Sequence, residues 1–282
     1  MGFVIRQGCG PRPAGLLRAA LAACLLAALP AGAQTTPPAG MGANQNATNQ
    51  NATASSARAM TDRGIELFNA HKDAEALTVF RRAAAIGDVD AMMYLGVMYG
   101  SGRGSPTDYT SSMAWFRQAA EAGNSQAMCN IGVLYLGGEG RPKNYDQAMT
   151  WFRKASAAGN TEAMFNVGVL YRDALGVPAD YPEALRWFRR AAGEGEIPAA
   201  NAIGVMYQQG MGVPVDYAEA MKWYQQAADA GSDAAMYNIG VLWEGGLGVA
   251  RDTAQATAWY RKAATAGNEH AREALKSLGD KE

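Results

Sequence analysis

Few side chains in this 282-residue chain are of types that carry chemistry, and those few are scattered. The only histidines are His71 and His270, and neither has a cysteine or second histidine at a metal-ligand spacing, so no metal site is expected. No serine is followed three residues on by lysine, and neither Lys-Thr-Gly nor Gly-x-Ser-x-Gly occurs, so the arrangements that activate serine for acyl transfer are absent. The run Gly100-Ser101-Gly102-Arg103-Gly104 could suggest a phosphate cradle, but it follows a helical pattern instead of a strand and has counterparts downstream. It reads as a turn. Cys129 has no base near it in sequence and reads as a small, inert side chain. No cofactor is implied, and catalysis is not expected.

What these residues sit in is periodic. Tryptophan recurs every 36 residues, at Trp115, Trp151, Trp187, Trp223 and Trp259, and glycines keep the same step at 96, 132, 168, 204 and 240. Further glycines do so at 104, 140, 176, 212 and 248, and at 123, 159, 195, 231 and 267. Five units therefore run head to tail without insertion, and such an array presents a surface, not a closed pocket.

The N-terminus carries Arg6, Arg12 and Arg18, an apolar stretch from Ala19 to Leu29, and small residues at Ala31 and Ala33. This is the pattern of a signal peptide over 1–33, cut after Ala33, which directs the chain to the periplasm or outside the cell. Leu21-Ala22-Ala23-Cys24 keeps a second possibility open, an acylated Cys24 anchoring a lipoprotein; only then would a membrane be a partner. Residues 34–57, rich in Ala, Asn, Gln, Thr, Pro and Gly, are expected to be a disordered linker. Removing 1–33 takes three of the 25 basic residues and none of the 26 acidic ones, leaving 22 against 26. No basic stripe remains, so nucleic acid is not expected as a partner. Cys9 and Cys24 leave with the signal, so no disulfide framework is available and packing must hold the array.

Residues 161–196 illustrate one unit. Ala163, Val167, Gly168, Leu170 and Tyr171 have helical spacing and predict a first helix over 162–173, broken by Leu175-Gly176-Val177-Pro178. Asp180 opens a second helix, with Glu183 placed for a capping box; Asp108, Asn144, Asp216 and Asp252 are its counterparts. Ala184, Leu185, Trp187, Phe188, Ala191 and Ala192 form the apolar stripe, and Gly195 is the expected cap. The recurrent tryptophan reads as structural, its ring filling space between repeats.

The unit A-x-x-x-[IVL]-G-V-[ML]-[YW], then G-x-G-[VRS]-P-x-[DN]-Y, then A-[ML]-x-W-[FY], resembles the Sel1-like repeat, a longer-looped relative of the tetratricopeptide repeat. The resemblance covers 91–267 and implies an all-α, right-handed superhelical solenoid of helix-loop-helix repeats at 89–124, 125–160, 161–196, 197–232 and 233–268. Residues 58–88 lack four loop residues, since Gly64 to Ala76 is twelve residues where Gly132 to Ala148 is sixteen; they read as a tetratricopeptide-like cap. Residues 269–282 read as a closing helix with Arg272, Glu273 and Lys276 on its wet face. Some secreted relatives carry a disulfide in each repeat and are linked to β-lactam chemistry, and this chain lacks those cysteines.

By the same resemblance the first helices line the inner face, whose third, seventh and tenth positions would meet a partner. The seventh is always valine, while the third and tenth vary; Met93, Leu136, Phe165, Arg172, Asn201, Gln208, Tyr237 and Glu244 are the candidate binding residues. Asn130, Asn166 and Asn238, at the fourth position, are assigned to structure. The expectation is a monomeric, non-catalytic scaffold for a protein or peptide. A cell-wall or β-lactam hydrolase, and a peptidoglycan or carbohydrate binder using Phe165 and Tyr237, are the alternatives.

Overall fold

Proline and glycine punctuate the chain at the junctions of the 36-residue step, and between them a computed structural model shows helices. It describes residues 45–279, with side chains from Thr53 onward; the signal segment 1–33, with Cys24 and the Ala33 site, and residues 34–44 lie outside the described residues. Among the described residues there are thirteen helices and no strand, and together they form an all-α solenoid of paired helices. The first helices are α1 (Gln45–Asn69), α3 (Val89–Ser101), α5 (Ser125–Gly137), α7 (Thr161–Arg172), α9 (Ile197–Gln209) and α11 (Asp233–Gly245). Their partners are α2 (Asp73–Ala85), α4 (Tyr109–Glu121), α6 (Tyr145–Ala157), α8 (Tyr181–Gly193), α10 (Tyr217–Asp229) and α12 (Thr253–Thr265), and α13 (Glu269–Ser277) follows. None of the described helices is long and apolar enough to cross a membrane.

Helix α1 differs from the sequence expectation, because it reaches back through 45–57, assigned above to the linker. The stretch from Gln45 to Ala57 contains neither glycine nor proline, so a helix nucleated by the packed end of α1 can propagate outward at little cost per residue. The glycines and prolines of the linker all precede it.

In each of the five 36-residue repeats the second helix starts just after the predicted capping residue. Asp180 accepts from the backbone N–H of Glu183 at 2.9 Å, and Asp108, Asn144, Asp216 and Asp252 do likewise. The return half of the capping box is not made. The N–H of each capping residue donates instead to a first-helix carbonyl, as Asp180 does to Tyr171 at 3.0 Å, which frees Glu183 to accept from Trp187 Nε1 at 2.8 Å.

The packing bears out tryptophan as a ring set between repeats, since Trp115 lies against the core of the preceding helix pairs and Trp151 against that of the repeat before it, but the fully enclosed ring is its neighbour. Trp115, Trp151, Trp187, Trp223 and Trp259 are half-buried, whereas the next residue in each repeat, Phe116, Phe152, Phe188, Tyr224 or Tyr260, is at most 1% exposed. The first-helix glycine makes room for this ring: a Cβ on Gly168 would stand 2.6 Å from Phe188 Cε1. In the first helix pair Gly64 meets Phe80 in the same way, at a separation four residues shorter.

The residues cluster into two compact parts, divided between Trp151 and Phe152. In the N-terminal part Arg103 ties the first long loop to the shorter helix pair: its guanidinium donates to Phe68 O at 2.6 Å, pairs with Asp73 and lies 3.3 Å over the Phe68 ring. In the C-terminal part Phe188, Ile203, Tyr224 and Ile239 belong to one continuous core, and Tyr260 and Leu275 close a second against α13.

Candidate partner-binding face

The first helices of neighbouring repeats in the C-terminal part lie side by side, joined by polar bonds. Thr161 donates to Glu196 at 2.8 Å, Asn238 Nδ2 to Asn201 Oδ1 at 2.9 Å, and Asn268 Nδ2 to Asp233 at 3.0 Å. On α7, α9 and α11 the seventh-position valines, Val169, Val205 and Val241, are half-buried, whereas Val97 and Val133 in the N-terminal part are 2% and 6% exposed. Partly accessible seventh-position valines are therefore found in the last three repeats and not in the first two. α9 carries no charged side chain from Ile197 to Gln209.

None of the eight sequence candidates is fully exposed. Phe165 packs on Phe188 with centroids 5.4 Å apart, and Arg172, only 8% exposed, pairs with Asp173 and lies 5.8 Å over the same ring. Tyr237 packs on Tyr260 at 5.5 Å, and Glu244 accepts from the Tyr260 hydroxyl at 2.6 Å. Gln208 accepts from the Tyr224 hydroxyl, and Asn201 accepts from Asn238. Met93 packs against the core around Phe116, and Leu136 is half-buried. The structure thus brings Phe165 together with Arg172, and Tyr237 with Glu244, around buried aromatic rings of the second helices. These candidate binding residues thus also take part in packing around the rings.

Much of the variation at the tenth position has a packing cause. Where the buried ring is phenylalanine, at 116, 152 and 188, the residue sixteen earlier is Gly100, Leu136 or Arg172; where it is tyrosine, at 224 and 260, that residue is Gln208 or Glu244. A buried phenol needs an acceptor, and each tyrosine has one. The coincidence of Tyr with Gln or Glu was present in the sequence and could have revealed the contact.

Burial raises the Tyr237 hydroxyl above the usual phenol range, with Glu244 and Glu273 adding to it, and burial with the Glu244 bond raises Tyr260. Burial also holds the Glu196 carboxyl above the ordinary carboxylate range, and Glu162 adds its charge. Among the described residues no three His, Cys, Asp or Glu side chains could together hold a metal ion. His71 is an exposed turn residue with φ of 56°, His270 sits 6.0 Å from the Tyr237 ring, and Cys129 is buried.

The Sel1 repeat family matches 89–124, 125–160, 161–196, 197–232 and 233–268, the five repeats read from the glycine and tryptophan step. The chain belongs to that family. It is similar to a Sel1 repeat protein from Oxalobacter formigenes, with 34% identity over 78% of this chain and 90% of the other, and a TM-score of 0.72. It is also similar to a protective antigen of uropathogenic Escherichia coli strains displaying an SLR fold, with 32% identity, 84% of this chain and a TM-score of 0.65; there it spans 51% of the other chain. An immunity protein from Pseudomonas aeruginosa shares the fold at 18% identity, over 76% of this chain and 82% of the other, with a TM-score of 0.55. No curated protein matches the chain.

Proposed function

We propose that this Sel1 repeat protein is an exported, non-catalytic scaffold that docks a protein or peptide along the first helices of its last three repeats. The observation that carries the reading is the half-buried floor of Val169, Val205 and Val241, flanked by side chains that differ from repeat to repeat. A regular apolar floor gives area, and unlike flanking groups give selectivity. Export rests on the arginines, apolar run and Ala31-Gly32-Ala33 of the N-terminus. Intact mass of the exported protein starting at Gln34 supports it; a lipid-modified Cys24 start makes the protein an anchored scaffold instead.

The docking surface is tested by affinity capture from an envelope extract with three baits. A Val205→Arg, Val241→Arg variant places two long charged chains on the floor and is expected to lose the partner. An Arg186→Ala, Lys222→Ala variant alters exposed second-helix residues, and is expected to retain it. The opposite pattern, with circular dichroism unchanged in both variants, moves recognition to the second helices.

A further inference from the structure

Charge is divided unequally between the two kinds of helix in the C-terminal part. From Asn160 to Asp173, Glu196 to Gln209 and Ser232 to Gly245 the carboxylates are Glu162, Asp173, Glu196, Asp233 and Glu244, and the one cation is Arg172. Arg172 is buried and paired with Asp173, so it offers little positive charge to the surface. The second helices carry the cations instead, Arg153, Lys154, Arg186, Arg189, Arg190, Lys222, Arg261 and Lys262.

The bonds described above for the first-helix carboxylates come from neutral donors. Thr161 serves Glu196, Asn268 serves Asp233 and the Tyr260 hydroxyl serves Glu244, which satisfies lone pairs without neutralising charge. In the N-terminal part the comparable Asp90 is covered by Arg58 at 2.9 Å. Burial is the main cause of the raised Glu196 and Tyr237 groups, and nearby negative charge adds to it, from Glu162 on one and from Glu244 with Glu273 on the other. Half-buried valines and carboxylates thus share three helices on which the buried Arg172 is the one cation.

We infer that the occupant of this face is a cationic peptide segment, its lysine or arginine side chains meeting Glu162, Glu196 and Glu244 while its apolar side chains rest on Val169, Val205 and Val241. The inference rests on the docking face proposed above and assigns the chemistry of its partner. An opposite charge brought to half-desolvated carboxylates strengthens binding and speeds encounter, and a like charge is repelled.

The test uses the full chain at neutral pH and three fluorescein-labelled decapeptides in which leucine alternates with lysine, glutamine or glutamate, read by anisotropy. The lysine peptide is expected to bind at least about tenfold more tightly than the glutamate peptide, and to weaken as salt rises from about 50 to about 300 mM. A Glu162→Gln, Glu196→Gln, Glu244→Gln variant keeps an acceptor for Thr161 and for Tyr260 while removing three charges, and should bind the lysine peptide at least about tenfold more weakly. Glutamine at the exposed Glu121, at the end of α4, and Glu194, just past α8, should leave affinity within about twofold. Equal binding of the three peptides, or an unchanged affinity in the triple variant, overturns the cationic partner and leaves the docking face standing. Binding of none of them, or binding indifferent to Val205→Arg, overturns the docking face itself.

Discussion

Glu196 occupies the position at which Asp88, Asn124, Asn160, Ser232 and Asn268 cap the first helix of their repeats with a side-chain oxygen. Its side chain makes no such bond, turning to Thr161 instead. Replacing it by asparagine should restore the cap and raise stability by ~1 kcal/mol, read as a higher urea midpoint. The raised carboxyl adds a pH signature. Because the folded state holds the Glu196 proton more tightly than the unfolded chain, this group's contribution is most favourable below the ordinary carboxylate value and falls as pH rises through the raised one. Glu196→Gln should therefore stabilise the protein at neutral pH, with the gain shrinking under acid; a gain that grows under acid would contradict the assigned direction. Ala174 is a second local departure, holding φ of 55° where the other long loops have glycine. Ala174→Gly relieves that strain against the added entropy of the unfolded chain, for an expected net gain of ~0.5 kcal/mol.

Between the two helices of a repeat, the ring that follows the tryptophan carries the packing. Phe188→Ala should cost ~3–5 kcal/mol, and Trp187→Ala clearly less, because Phe188 is wholly enclosed and Trp187 is not. Equal shifts of the urea midpoint would return tryptophan to the centre of the repeat. The tyrosine repeats allow a sharper test through a double-mutant cycle. Gln208→Leu leaves the Tyr224 hydroxyl buried without its acceptor, at a cost of ~1–3 kcal/mol. Adding Tyr224→Phe to it recreates the pairing of Phe152 with Leu136 found two repeats earlier. The double variant should be more stable than Gln208→Leu alone, and simple additivity of the two changes would mean the residues do not interact.

Within each compact part repeats pack on their neighbours, so damage in one part should not deepen damage in the other. Phe116→Ala and Phe188→Ala, one in each part, share no packing partner, and their free-energy costs should add within ~0.5 kcal/mol. A large coupling energy would show communication beyond nearest neighbours. At the last helix the repeat pattern changes character: Lys276 stands 36 residues after Gly240, where the earlier first helices leave space for an aromatic ring. Lysine is exposed there, and α13 is closed to a ring at that position.

The helix pairs, their starts at Asp108, Asn144, Asp180, Asp216 and Asp252, and the turns that separate them were legible in the amino-acid sequence. These features arise from contacts within a few residues or from the next identical repeat, so periodicity records them directly. Periodicity says that a position is constrained; it does not say by which neighbour. Trp187 and Phe188 recur side by side, and only the approach of α7 to α8, with Gly168 removing a side chain from the way, decides which ring is enclosed. Arg172, Gln208 and Glu244 read as free recognition groups because they vary, yet each varies with an aromatic partner sixteen residues away on another helix. The far half of α1 was read from its polar composition, which reports the absence of a core and not the absence of a helix that a packed neighbour can extend. Local chemistry set the elements, and the side-by-side packing of helices distant in sequence decided which side chains remain available to a partner.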